Sequence, residues 1–141
     1  TETAEFGRRL SDVRHRREEM VMGYKNLEVY QRSYKLALEI HRTTQKFPSE
    51  ERYELGSQLR RAAVSIPLNI AEGYGRRESI GEFQHFLRNA LGSCNEVKVL
   101  LDMIKDLQYI SEERHQILLE QYNILGKQIY RLREANTKKK I

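Results

Sequence analysis

From Ile80 to Ile104 the apolar residues Ile80, Phe83, Leu87, Ala90, Cys94, Val97, Leu101 and Ile104 follow one another at steps that alternate strictly between three and four. A repeat averaging 3.5 residues keeps side chains on one seam of an α-helix, whereas a strand would need a period of two. The segment is therefore expected to be a long helix lying lengthwise against others, starting after Ser79. Phe86, Leu91, Leu100 and Leu107 widen its apolar face beyond one seam. A face that wide points to contact with more than one layer, and so to association between copies.

Three further segments carry helical spacing. The first is expected over Asn26–Lys46, with Leu27, Tyr30, Tyr34, Ala37 and His41 on one stripe and Val29, Leu36 and Ile40 on its neighbour. Asn26 is a candidate cap, and Phe47-Pro48 stops the helix because the residue before proline avoids the α region. Ser49 is then a natural cap for the second helix, Glu50–Tyr74, whose stripe is Leu55, Leu59, Ala62, Ile66, Ile70 and Tyr74. Pro67 lies inside it. Proline removes a hydrogen bond and crowds the turn before it, at Ala63, so a kink is expected rather than a break. Gly73 and Gly75 end this helix. The fourth starts after Ser111 and carries Leu118, Tyr122, Leu125, Ile129 and Leu132, its pattern dissolving at Ala135-Asn136.

The expected fold is all-α: an antiparallel, up-down-up-down four-helix bundle with a Pro-kinked second helix. A length of 141 residues suits one domain, and two prolines with eight glycines are too few for a many-turned β chain. Residues 1–22 read as a polar arm, 23–134 as the bundle and 135–141 as a basic, disordered tail. Met20 and Met22 stand before the first periodic segment, so either is a candidate start. No apolar run is long enough to span a membrane, and no charged-then-apolar leader opens the chain. With a single cysteine, Cys94, an intrachain disulfide is impossible, and a cytoplasmic home is expected.

No residue pattern supports an active site, a metal or another cofactor. The four histidines lack zinc-site spacing, and there is one cysteine to join them. Glu82 with His85, and Glu112 with His115, do match the Glu-x-x-His spacing of di-iron bundles, for which Glu39 and Glu72 would be the further ligands. Both pairs lie near helix starts, and His85 lies off the seam, so exposed polar roles are expected. Cys94 falls on the seam and reads as a small core residue. Gly73-Tyr74-Gly75 follows a helix and lacks the Gly-Lys-Ser/Thr of a phosphate loop.

The basic residues are the better lead. Net charge is +5; the acids and bases of residues 1–22 cancel, so the excess lies from Gly23 onward. Arg60 and Arg61 sit in the second helix, Arg76 and Arg77 just beyond it, Arg88, Lys98 and Lys105 in the third, and Lys127, Arg131 and Arg133 in the fourth. Their spacing fits no base-reading motif. It suits phosphate contacts that are sensitive to salt and tolerant of sequence. Tyr30, Tyr53, Tyr74, Tyr109 and Tyr130 are candidate stacking rings, although tyrosine at helical spacing is more often core or interface. An alternative is a scaffold whose basic face docks a partner enzyme.

The run Ser57-Gln58-Leu59-Arg60-Arg61-Ala62-Ala63-Val64-Ser65-Ile66-Pro67-Leu68-Asn69-Ile70-Ala71-Glu72-Gly73 resembles the signature of the 23S rRNA intervening-sequence protein family. Tyr24-Lys25-Asn26-Leu27-Glu28-Val29-Tyr30-Gln31 is similar to that family's opening. Glu82-Phe83, Phe86-Leu87 and Ala90-Leu91-Gly92-Ser93 resemble its third helix. The resemblance spans about Tyr24–Leu132. It implies a four-helix bundle assembled into a ring, often a pentamer. It also implies kinship with the accessory variability determinant of diversity-generating retroelements, a basic pentamer that binds nucleic acid and a partner reverse transcriptase. The arm and the Lys-rich end fall outside it.

Overall fold

A computed structural model describes residues 23–138 together with Ala4. The rest of the arm with its Met20 and Met22, residues 139–141 and the Lys138 side chain lie outside the described residues. After a 3-10 turn, Gly23–Asn26, come α1 (Glu28–Thr44), the short α2 (Ser49–Tyr53), α3 (Leu55–Gly75), α4 (Ile80–Asp106) and α5 (Glu112–Lys138). The described residues contain no strand, and their four long helices form a bundle.

Contacts fix the order of the helices. Round the bundle, α1 packs on α3, α3 on α4, α4 on α5, and α5 closes on α1. Arg32 reaches Gln121 and Gln128 on α5, while Glu39, farther along α1, reaches Arg114, earlier on α5. Ser65 meets Ser93, and Gly73 abuts Phe83 and Phe86. Asp102 meets His115, and Lys98 faces Gly126. The turn before α1 meets Tyr74 near the end of α3, and Thr44 at the end of α1 meets Arg60. In each pair the residue numbers run in opposite directions.

The seam of α4 is buried from Phe83 to Ile104, and Leu118, Tyr122, Leu125 and Ile129 of α5 close over it. Leu59, Ala62, Ala63, Ile66 and Ile70 of α3 complete the core, with Val29, Leu36 and Ile40 from α1. Burying one such aliphatic side chain contributes about 1.5–3 kcal/mol. In α1 the core buries one of the two stripes read from the sequence, while Leu27, Tyr30 and Ala37 of the other pack partly buried against it. Tyr34 stays 49% exposed and His41 is exposed, because the Tyr30–His41 stripe faces a groove between α1 and α3.

Local chemistry explains the helix ends. Ser79 Oγ accepts the Glu82 amide, and Ser111 Oγ accepts the Arg114 amide. Asn26 does not cap α1: Leu27 holds the N-cap, with no side-chain bond. Ser49 opens α2 from inside, behind Pro48. The helix expected over Glu50–Tyr74 is interrupted at Glu54, whose ψ of −94° lies outside the helical region. α3 then runs through the buried Pro67 to Gly75. α4 ends with Gln108 in the left-handed region, φ 64°, and Tyr109 N–H donating back to Ile104 O at 2.8 Å. α5 continues past Ala135-Asn136, so the segment expected to be a disordered tail is helical as far as Lys138. No helix of the described residues is long and apolar enough to cross a membrane.

Candidate functional site

Three of the basic residues singled out from the sequence converge. Lys98 of α4 and Lys127 and Arg131 of α5 line one groove of about 630 Å³, with Leu91, Cys94, Asn95, Asn123, Gly126 and Tyr130. No carboxylate lines it, and none of the three cations forms an ion pair among the described residues. The antiparallel packing of α4 and α5 brings them together. On α5, Asn123, Lys127, Tyr130 and Arg131 recur at helical spacing, so one face presents them all. On α4, Asn95 and Lys98 flank the seam residues Cys94 and Val97. Gly126 lies beside the ammonium, where a Cβ would make an ordinary van der Waals contact of 3.8 Å with Lys98 Nζ.

Beneath this charge the floor is inert. Burial pushes the Cys94 thiol up to about 12, against the pull of the Lys98 ammonium. Cys94 therefore stays a thiol at neutral pH and is a poor nucleophile. Tyr122, fully buried, has its phenol raised by burial as well.

The other basic candidates are placed differently. Arg60 is half-buried and donates to Thr44 Oγ1 at 2.8 Å and to Arg52 O at 2.9 Å, so it holds α2 and α3 against the end of α1. Arg76 is exposed but paired with Glu72 at 2.9 Å and Glu82 at 3.3 Å, with its guanidinium over the Phe86 ring. Arg77 donates to Tyr74 O and lies 4.1 Å from the centroid of the Tyr74 ring. Arg61 and Arg88 are exposed and do not line that groove. Arg133 is half-buried, its Nε enclosed without a hydrogen-bond partner among the described residues. Lys105 lies beside Asp106.

Three of the four carboxylates weighed as metal ligands are occupied by arginines, Glu39 by Arg114 and Arg42, and Glu72 and Glu82 by Arg76, while Glu112 is exposed at the start of α5. His85 lies beside Asn89, and His115 is buried against Asp102. Among the described residues no three His, Cys, Asp or Glu are grouped to hold a metal ion.

Sequence reasoning missed Asn95 and Asn123. Their signal was the polar period on the outer faces of α4 and α5, which a search for apolar stripes passes over.

Comparison with known proteins agrees with this architecture. No curated protein sequence matches the chain. A crystal structure of a protein of unknown function from the S23 ribosomal protein family of Bacteroides thetaiotaomicron VPI-5482 is similar, with a TM-score of 0.70 at 22% identity, over 75% of this chain and 95% of that one. At that identity the likeness establishes the fold. The family model described as 23S rRNA-intervening sequence protein matches residues 25–131, the whole bundle apart from the end of α5, and the chain belongs to that family.

Proposed function

We propose that the protein is a non-enzymatic, oligomeric accessory factor that holds RNA or DNA by phosphate contacts in the α4–α5 groove. The observation that carries this reading is the convergence of Lys98, Lys127 and Arg131 in a groove free of carboxylates. Ammonium and guanidinium groups without an acidic partner are available to displace counterions from a phosphate backbone. A buried, protonated Cys94 and the arginine-bound carboxylates favour a binding surface over a reactive one.

Three cations give one subunit weak affinity, and repetition supplies the rest. The means of repetition is the second groove. Tyr30, Tyr34, Leu38, Val64, Pro67 and Leu68 line a largely apolar trough between α1 and α3, with Leu68 63% exposed. It lies on the side of the bundle opposite the cationic groove, because α1–α3 and α4–α5 are opposite edges of the helix order. A second copy seated there covers the apolar residues and leaves the cations facing solvent. Closing such contacts into a ring, with five subunits as the family resemblance suggests, gives a multivalent basic surface.

The test is fluorescence anisotropy with labelled RNA and DNA across a salt series. Affinity should fall with a log–log slope of about −0.9 per duplex phosphate contacted, and Lys127→Glu with Arg131→Glu should abolish binding while circular dichroism stays helical. No binding at low salt would overturn the reading in favour of a scaffold that docks a protein partner such as a reverse transcriptase.

A further inference from the structure

The α4–α5 groove holds more than charge. Tyr130 lies in it, 54% exposed as a residue, and makes no aromatic contact among the described residues. Five other tyrosines, Tyr24, Tyr30, Tyr34, Tyr74 and Tyr109, each pack a ring against a neighbour. Asn95 and Asn123 share the groove and are exposed, with no hydrogen bond from either amide among the described residues. Leu91 and Cys94 provide an apolar floor.

We infer that this groove takes a single-stranded nucleic-acid segment, with one base stacked on Tyr130 and the flanking phosphates held by Lys98, Lys127 and Arg131. The inference rests on the nucleic-acid reading above and narrows its ligand. An unpaired base has a free face for an aromatic ring, and stacking of that kind is tolerant of sequence. Its exposed edge has donors and acceptors that a carboxamide, itself both donor and acceptor, can meet. A duplex offers no free face, because its bases are stacked, and its Watson–Crick edges are taken up in pairing. Adjacent helix axes lie about 8–10 Å apart, so a duplex rides across the rim instead of entering between them. Phosphate contact alone explains the three cations; it leaves the unpacked ring and the two free amides beside them without a use.

The experiment compares a short labelled oligouridylate with an RNA duplex of equal strand length, at one salt concentration, using the full chain. Wild type should bind the single strand at least tenfold more tightly. Tyr130→Ala should weaken single-strand binding by about tenfold and leave duplex binding unchanged, while Tyr130→Phe, which keeps the ring, should bind as wild type does. Because Tyr130 is largely exposed, both variants should keep their thermal midpoint, which circular dichroism checks. Equal affinity for both probes, or Tyr130→Ala without effect on either, would overturn this inference. If Lys127→Glu with Arg131→Glu still abolished binding in that case, the broader reading would stand. No binding of either probe at low salt would remove both.

Discussion

Arg60 Nη1 donates to Thr44 Oγ1 at 2.8 Å, joining the second turn of α3 to the last residue of α1. The same guanidinium donates through Nη2 to Arg52 O beside the interruption at Glu54. One side chain thus bridges three helices where the chain changes direction twice. Hydrogen bonds from a charged donor contribute about 1.5–3 kcal/mol. Arg60→Ala should therefore lower the unfolding free energy extrapolated from urea titration by about that amount, with the midpoint falling in proportion. It should leave the salt slope of nucleic-acid binding unchanged, because a residue occupied in this way contacts no phosphate.

Arg76 and Arg77 give a related contrast. They stand next to one another in the basic inventory, but Arg76 is held by Glu72 and Glu82, and Arg77 is folded over Tyr74. Replacing both by Glu should weaken binding only a few-fold, through the general field of the protein. Replacing Lys127 and Arg131 should remove binding altogether. Anisotropy at matched salt compares the two. Equal losses would place the interface at the end of α3.

Acid should loosen the contact between α1 and α5. Hydrogen bonds from Arg114, and then from Arg42, hold the Glu39 carboxyl below its ordinary value. A depressed folded value means that this stability is present above the unfolded value and is lost as pH falls through the folded one. The Glu39 side chain is 40% exposed, so solvent limits the effect to about 1 kcal/mol or less. Denaturation midpoints measured from neutral pH down through the carboxylate range should show a shallower acid limb in Glu39→Gln than in wild type.

The end of α4 carries a correctable cost. Gln108 sits at φ 64°, where a side chain meets the following carbonyl and glycine does not. Gln108→Gly should raise stability by about 1 kcal/mol, a shift of a few degrees in Tm. Calorimetry checks it, and an unchanged or lower Tm would show that the Gln108 side chain contributes contacts of its own.

The apolar trough predicts its own disruption. Leu68→Asp places a charge on an exposed wall of the α1–α3 groove and touches nothing in the core. Light scattering should show assembly in wild type and a smaller species in the variant, with unchanged helicity. Nucleic-acid affinity should fall with it, since multivalency is lost while every groove cation remains. A wild-type monomer at micromolar concentration would remove the assembly.

The bundle was legible because its signals are local. The three-four alternation on α4 and the stripes on α3 and α5 each count residues within one helix, and the core falls on them. Ser79 and Ser111 cap their helices for the same reason. In α1, two apolar stripes lie side by side, and only the arrangement of the neighbours decides that Val29, Leu36 and Ile40 go inward while Tyr34 stays outside. The candidate site was legible only in part. Lys98, Lys127 and Arg131 stood among the basic residues, but so did Arg60 and Arg76, whose partners are set by the fold or by a turn. What separates a free cation from an occupied one is a distance between helices, and a single sequence does not display it.

Gly73 presses α3 so closely on α4 that a Cβ there would come within 2.8 Å of Phe86 Cβ. About two turns away along α3, Ser65 and Ser93 hold the same two helices by a 2.9 Å hydrogen bond. A notch and a pin at separate points remove the freedom of one rod to slide along the other. Moving α3 by a single residue, a rise of about 1.5 Å, would drive the notch into Phe86 and part the serines. A pull on the α4 wall of the cationic groove therefore passes to α3, and through it to the wall of the apolar trough, as the displacement of one stiff beam. If a strand is held on one side of the bundle and a second copy on the other, as proposed, tension in the strand would be felt as torque at that joint.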